Sequence, residues 1–176
     1  DPRSARDAGC LLIWGANPHA SAPHAHKHWI PEFQARGKVI VIDPVAHPTA
    51  KLADLHLRPR PGSDAALAFA LTHAAMAQGH LDEAFLARSV LGWEELLPAV
   101  EAATPAWGEA ETGVPAAEIE EAAALYGPGP SLMWLGQGLQ RQPLGGNVFR
   151  AAAMLCAATG NIGKPGAGLL FLNGGA

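Results

Sequence analysis

A chain of 176 residues, 49% of them apolar, is long enough for one well-buried α/β domain and too short for most multi-domain enzymes. Its formal charge of −4, with Lys and Arg scattered, offers no general attraction for nucleic acid or anionic membranes, so no nucleic-acid partner is expected. Cys10 and Cys156 lack C-x-x-C spacing and the further cysteines of an iron–sulfur cluster, so both read as buried thiols.

Asp1 to Gly9 is polar, rich in small residues, and reads as a surface lead-in. Leu11-Leu12-Ile13-Trp14 is apolar without alternation, the pattern of a strand covered on both faces in a parallel sheet. It stops at Gly15-Ala16-Asn17-Pro18, where a glycine lets the backbone turn beneath a ligand and the following helix offers free amide hydrogens. His24 to Arg36 predicts a helix that Pro31 kinks or splits, and Lys38 to Asp43 predicts a second strand. Strand, helix and strand within this span make a βαβ unit.

A short strand is expected between Leu52 and Leu57, then a rigid turn at Arg58-Pro59-Arg60-Pro61-Gly62. Ser63 reads as an N-cap and Asp64 as a first-turn acid, opening a helix over Ala65 to Gln78 with one apolar face that Gly79 ends. Helices are also expected at Leu81 to Ser89, at Trp93 to Ala102, and from Pro115 to Tyr126. Ser131 to Leu135 is a third clear strand, meeting Gly136-Gln137-Gly138, and Asn147 to Ala158 is the last helix. Residues 160–176 read as an extended glycine-rich tail. No signal peptide is visible, no targeting segment lies in this stretch, and no apolar run is long enough to span a membrane.

The strands thus reach glycine-containing loops at Gly15 and Gly136, and the carboxyl ends of strands in an open parallel sheet are where ligands bind. Each candidate residue carries an ordinary reading beside the ligand reading. Gly15, Asn17 and Pro18 form either a tight turn or a nucleotide seat, with Asn17 offering its amide to a phosphate or ribose oxygen. Asp43, 28 residues after Gly15, is either an Asp-Pro turn or the acid that accepts from ribose hydroxyls. Asp64, in Arg60-Pro61-Gly62-Ser63-Asp64, either caps its helix with Ser63 or accepts the paired N1–H and N2–H of a guanine. Gly136, Gly138 and Arg141 follow a strand, with Arg141 either a pyrophosphate partner or a surface arginine. His24 and His28 share a helical face at metal-ligand spacing, yet no third ligand or H-E-x-x-H glutamate accompanies them, and a solvated histidine-rich helix is the simpler reading. Gly160 to Gly166 fails as a Walker A loop, and no nucleophile with a paired base is visible.

Taken together, Ile13 to Pro18, Val41 to Pro44, Arg60 to Leu67, Thr112 to Pro115 and Thr159 to Gly168 follow the order and spacing of a known family. The chain resembles the molybdopterin oxidoreductases, the dimethyl sulfoxide reductase family that includes formate dehydrogenases, nitrate reductases and thiosulfate or polysulfide reductases. The resemblance implies a three-layer Rossmann-like α/β sandwich, with a mostly parallel sheet of about 4–5 strands flanked by helices. It also implies a bis-molybdopterin guanine dinucleotide cofactor holding molybdenum or tungsten, the middle domain gripping the guanosine end of one dinucleotide. Gly15, Asn17, Pro18, Asp43, Pro61, Gly62, Ser63 and Asp64 match the family's motif positions, with Ser63 keeping the hydroxyl of the usual Thr.

The chain departs from the family at Val45, where an Arg is common, so a basic contact at the phosphate end is either missing or supplied by Lys51 or Arg60; His47 and Pro48 stand where small hydroxyl residues are frequent. The resemblance further implies parts outside this stretch: an N-terminal region often carrying a 4Fe-4S cluster, a ligand to the metal, and a C-terminal β-rich domain. The chain is therefore read as one α/β domain of a longer enzyme acting on formate, nitrate, a sulfoxide or a sulfur oxyanion. Its partners are the remainder of its own polypeptide together with iron–sulfur electron-transfer and membrane-anchor subunits. Two alternatives stay open, a non-catalytic docking domain derived from the family and an NAD-type domain, the latter lacking G-x-G-x-x-G.

Overall fold

The computed structural model describes residues 2–171. After a 3-10 turn at Pro2–Asp7, β1 (Cys10–Trp14) enters the sheet, followed by α1 (Pro18–Ser21), a π turn at Ala25–Trp29, α2 (Ile30–Gln34) and β2 (Lys38–Ile42). A 3-10 turn at Ala50–Leu52 leads to β3 (Leu55–Leu57). The helices α3 (Asp64–Ala77), α4 (Glu83–Ser89), α5 (Trp93–Ala102), α6 (Pro105–Thr112) and α7 (Ala116–Tyr126) follow. Then come β4 (Ser131–Leu135), a 3-10 turn at Gln137–Gln140, α8 (Gly145–Ala158) and β5 (Gly168–Phe171).

The sheet runs β3-β2-β1-β4-β5 with every neighbouring pair parallel, so the expected Rossmann-like sandwich has five parallel strands. β1 sits at its centre, Leu11 lying opposite Val39 on one side and Leu132 on the other. A central parallel strand is covered on both faces, which is why it has no polar position to alternate with. Cys10, Leu12 and Trp14 pack with α3, α7 and α8, whereas Leu11 and Ile13 pack with Ala25, Ile30 and Phe33 on the other side. The two thiols are free and buried, and burial pushes Cys10 up to about 12 and Cys156 up to about 11, which makes both poor nucleophiles at neutral pH.

Four local expectations change in the fold. The helix expected over 24–36 is divided by a π turn just before Pro31, whose ring removes the hydrogen bond that would close an α turn there. The α3 helix is buried beyond a single face: Ala68, Thr72 and Ala75 are covered as well as Leu67, Ala70 and Leu71, because α6, α7 and α8 all pack around it. The α6 helix was not anticipated. It begins at a Thr104 cap that accepts from the Trp107 N–H at 3.2 Å, with Pro105 in its first turn, and such a cap is worth about 1 kcal/mol. Its Gly108 lies so close to α3 that a Cβ there would stand 2.5 Å from the Cβ of Ala70. Finally, within the glycine-rich 160–176 stretch, Gly168–Phe171 forms β5, pairing Leu169 with Met133; residues 172–176 lie outside those described.

Candidate functional site

In a doubly wound sheet the crevice opens beyond the carboxyl ends of the strands where the order reverses, which here is between β1 and β4. Both strands end at a glycine. Gly15 takes φ +61° and donates its N–H to Ile42 O at 2.9 Å, while Gly136 donates to Trp14 O at 2.7 Å. A Cβ on Gly136 would stand 1.9 Å from Gly15 O, and one on Gly138 3.0 Å from the same oxygen. The glycines at 136 and 138 are therefore required first by the contact between the two loops, before any ligand is considered.

Two cavities flank that contact. One, of about 450 Å³, is lined by Gly15, Asn17, Ser21, Trp134, Gly136 and Gly138 among others. The second, of about 470 Å³, is lined by Gly15, Asp43, Arg60, Gly62, Asp64, Gly138, Arg141 and Gln142 among others, with Gly15 and Gly138 bordering both. Both volumes fall in the range of small-molecule sites. Pro18 is instead buried at the start of α1, and Ser63 turns its hydroxyl to donate to Arg60 O at 2.7 Å.

Asp64 is the most constrained polar group in the second cavity. It is 9% exposed, its Oδ1 accepts from the Trp14 indole N–H at 2.8 Å, and its Oδ2 accepts from Gln142 Nε2 at 3.1 Å. Neither Ser63 nor Asp64 makes a side-chain cap to α3, so the helix-cap reading is not realised by hydrogen bonding. Each carboxylate oxygen retains a second acceptor direction, and the indole fixes the orientation of the group from within the core. Neither Trp14 nor Gln142 stood out in the sequence as a site residue. The available signal was that a buried tryptophan seeks an acceptor for its N–H.

Asp43 satisfies its turn reading and also lines the second cavity. Its Oδ1 accepts from the Val45 N–H at 2.8 Å, its carbonyl lies 2.8 Å from His56 Nε2, and its Oδ2 lies 3.6 Å from His47 Nε2. Asn17 leaves its Oδ1 buried without a hydrogen-bond partner in the structure, a costly state that a donor in the first cavity would relieve. Arg60 lines the second cavity, but its guanidinium donates to Ala110 O and its backbone N–H to Thr112 O at 2.8 Å, tying it to the C-terminus of α6. Arg141 is exposed at the rim of the second cavity.

Away from the crevice, the His24 and His28 rings stack with centroids 6.5 Å apart, and His19 meets His26 edge-on at 4.9 Å. Burial lowers the His26 imidazole below the usual range, with His19 acting in the same direction. Among the described residues no group of three or more His, Cys, Asp or Glu side chains is placed to hold a metal ion, and no helix is long and apolar enough to cross a membrane.

A parallel sheet of this order, with a carboxylate-bearing crevice at its switch point, defines a Rossmann-like class of α/β domain, whose ligands bind at that point of the sheet. The family model described as molybdopterin oxidoreductase matches residues 4–176, and the chain belongs to that family, whose members use molybdenum or tungsten bis-molybdopterin guanine dinucleotide cofactors. It is 37% identical over 161 residues to formate dehydrogenase H of Escherichia coli, covering 90% of this chain and 22% of that protein. It is 36% identical over 163 residues to the assimilatory nitrate reductase of Haloferax mediterranei, covering 93% of this chain and 22% of that protein. Among solved structures, acetylene hydratase from Pelobacter acetylenicus superposes with a TM-score of 0.74 at 26% identity, covering 87% of this chain and 21% of that one. The chain thus spans less than a quarter of the length of these relatives.

Proposed function

We propose that this chain is the α/β domain that grips the guanosine end of one molybdopterin guanine dinucleotide in a molybdenum or tungsten oxidoreductase. The observation that carries the reading is Asp64: a buried carboxylate, oriented by the Trp14 indole, at the wall of a cavity it shares with Asp43, Gly62 and Arg141. The residues fit such a tail. A paired acceptor suits guanine and not adenine, Asp43 at the end of β2 suits a ribose diol, Arg141 suits a pyrophosphate, and the unpartnered Asn17 Oδ1 asks for a donor.

When bound, the metal–pterin group supplies the two-electron chemistry, on substrates such as formate, nitrate, a sulfoxide or a sulfur oxyanion. The residues here hold and orient the far nucleotide end, so they govern loading before any chemical step. Electron-transfer and membrane-anchor subunits are the partners this reading implies for the whole enzyme, and any 4Fe-4S cluster would be bound by another part of it. The test is to denature the purified intact enzyme and identify the released base and metal. Guanine with molybdenum or tungsten is expected. Adenine alone would move the chain to the NAD-type reading, and neither base nor metal would make it a docking domain.

A further inference from the structure

Beside the second cavity lies a histidine whose two nitrogens have different fates. His47 is only 6% exposed, and the Ala50 backbone N–H donates to its Nδ1 at 3.2 Å. A nitrogen that accepts a backbone hydrogen bond carries no proton, so the neutral ring must hold its proton on Nε2. That Nε2 is buried without a hydrogen-bond partner in the structure, and the nearest acid is the cavity-lining Asp43, whose Oδ2 is 3.6 Å away. At this distance the contact is too long for a hydrogen bond.

Protonating Nδ1 would break the Ala50 bond and place a positive charge on a buried ring near other histidines. The titratable groups acting on the ring are Asp43 after β2, His56 on β3 and His19 on α1; Asp43 favours the imidazolium and the two histidines oppose it. Burial is the largest influence and moves the imidazole below the usual histidine range, so the neutral, Nε2-protonated form is the one that faces Asp43 at neutral pH.

We infer that His47 is a positioning residue for Asp43: its Nε2–H closes onto Asp43 Oδ2 when the carboxylate engages a ligand hydroxyl. Asp43 Oδ1 is already fixed by the Val45 N–H, so a donor on Oδ2 would fix the second oxygen and with it the plane of the carboxylate. The imidazole thereby supplies a side-chain tether at the segment where the Val45 side chain offers none. The ligand side of this inference rests on the nucleotide reading above.

The test uses two variants of the intact enzyme that separate the two nitrogens. His47→Gln keeps a donor that reaches Asp43 and loses the Nδ1 acceptor, whereas His47→Asn keeps an acceptor for Ala50 and loses the reach. Guanine nucleotide retained per polypeptide after gel filtration is expected to fall about tenfold in His47→Asn, the loss of one hydrogen bond to a charged group, and to stay near wild type in His47→Gln. The reverse order, or equal behaviour of the two, overturns the donor role. A melting-temperature cycle of Asp43→Ala, His47→Ala and the double variant is read separately. Coupling, with the double variant falling less than the two single shifts added together, is expected, and additive shifts overturn the Asp43–His47 link whatever the ligand. Nucleotide content unchanged in Asp43→Ala would instead remove Asp43 from the nucleotide reading and leave that link to the cycle.

Discussion

Asp64→Asn in the intact enzyme is expected to purify with at least about tenfold less guanine nucleotide and metal than wild type while melting close to it. Asparagine keeps one oxygen for the Trp14 indole, so the core bond at 2.8 Å survives. It replaces the other acceptor with a donor, and a guanine edge presenting N1–H and N2–H then loses one partner; a hydrogen bond to a charged group is worth about 1.5–3 kcal/mol, which covers the tenfold loss. Asp64→Ala separates the two duties of this side chain. It removes the guanine acceptor and also leaves the Trp14 N–H buried without a partner, so an added stability loss of about 1–3 kcal/mol is expected in urea unfolding. Wild-type nucleotide content in both variants would remove Asp64 from the site and leave it as a core anchor.

Gly136→Ala should be the most damaging small substitution at the crevice. Its added Cβ meets the carbonyl oxygen of Gly15 at 1.9 Å and the Cα of Ala16 at 2.7 Å, and both are backbone atoms that no rotamer change can move. The loops after β1 and β4 must separate, straining the Gly136 N–H bond to Trp14 O, and a loss of about 3 kcal/mol or more is expected. Gly146→Ala is the control. A Cβ there meets nothing within 4 Å, and in the first turn of α8 alanine should be neutral or stabilising by up to about 1 kcal/mol. Chemical unfolding of both variants checks the contrast; equal stabilities would contradict the loop-contact account.

What could be read from the chain, and what could not, follows the range of the interactions. The strands β1, β2 and β4 are legible because a strand buried on both faces must be apolar at successive positions. The α3 helix was legible from its spacing and from Gly79, although the extent of its burial depends on the other helices packing around it, α6, α7 and α8 above all. By contrast, α6 carries a Thr104-Pro105 start but only eight residues, with Gly108 among them, so its apolar periodicity is weak and its place is set by close approach to Ala70. The β5 strand begins at a glycine with φ +135° and is only four residues long, and what defines it is pairing with β4.

The same distinction divides the site. Gly15, Asp43 and Asp64 stood out as candidates because turns and strand ends leave local marks. The couplings that set their geometry are non-local: Trp14 to Asp64 spans 50 positions and Gln142 to Asp64 spans 78. Arg60 shows the limit from the other side. Its charge suggested a phosphate contact, while its guanidinium reaches a carbonyl of α6, a helix absent from the sequence expectation.

The position of the purine in an experimentally determined structure of the cofactor-loaded enzyme bears most directly on this account. Guanine should place its N1–H and N2–H on the Asp64 carboxylate, with Gln142 moved off Oδ2 and the Trp14 indole still holding Oδ1. A purine seated on other residues, with Gln142 still bonded to Asp64, would contradict it.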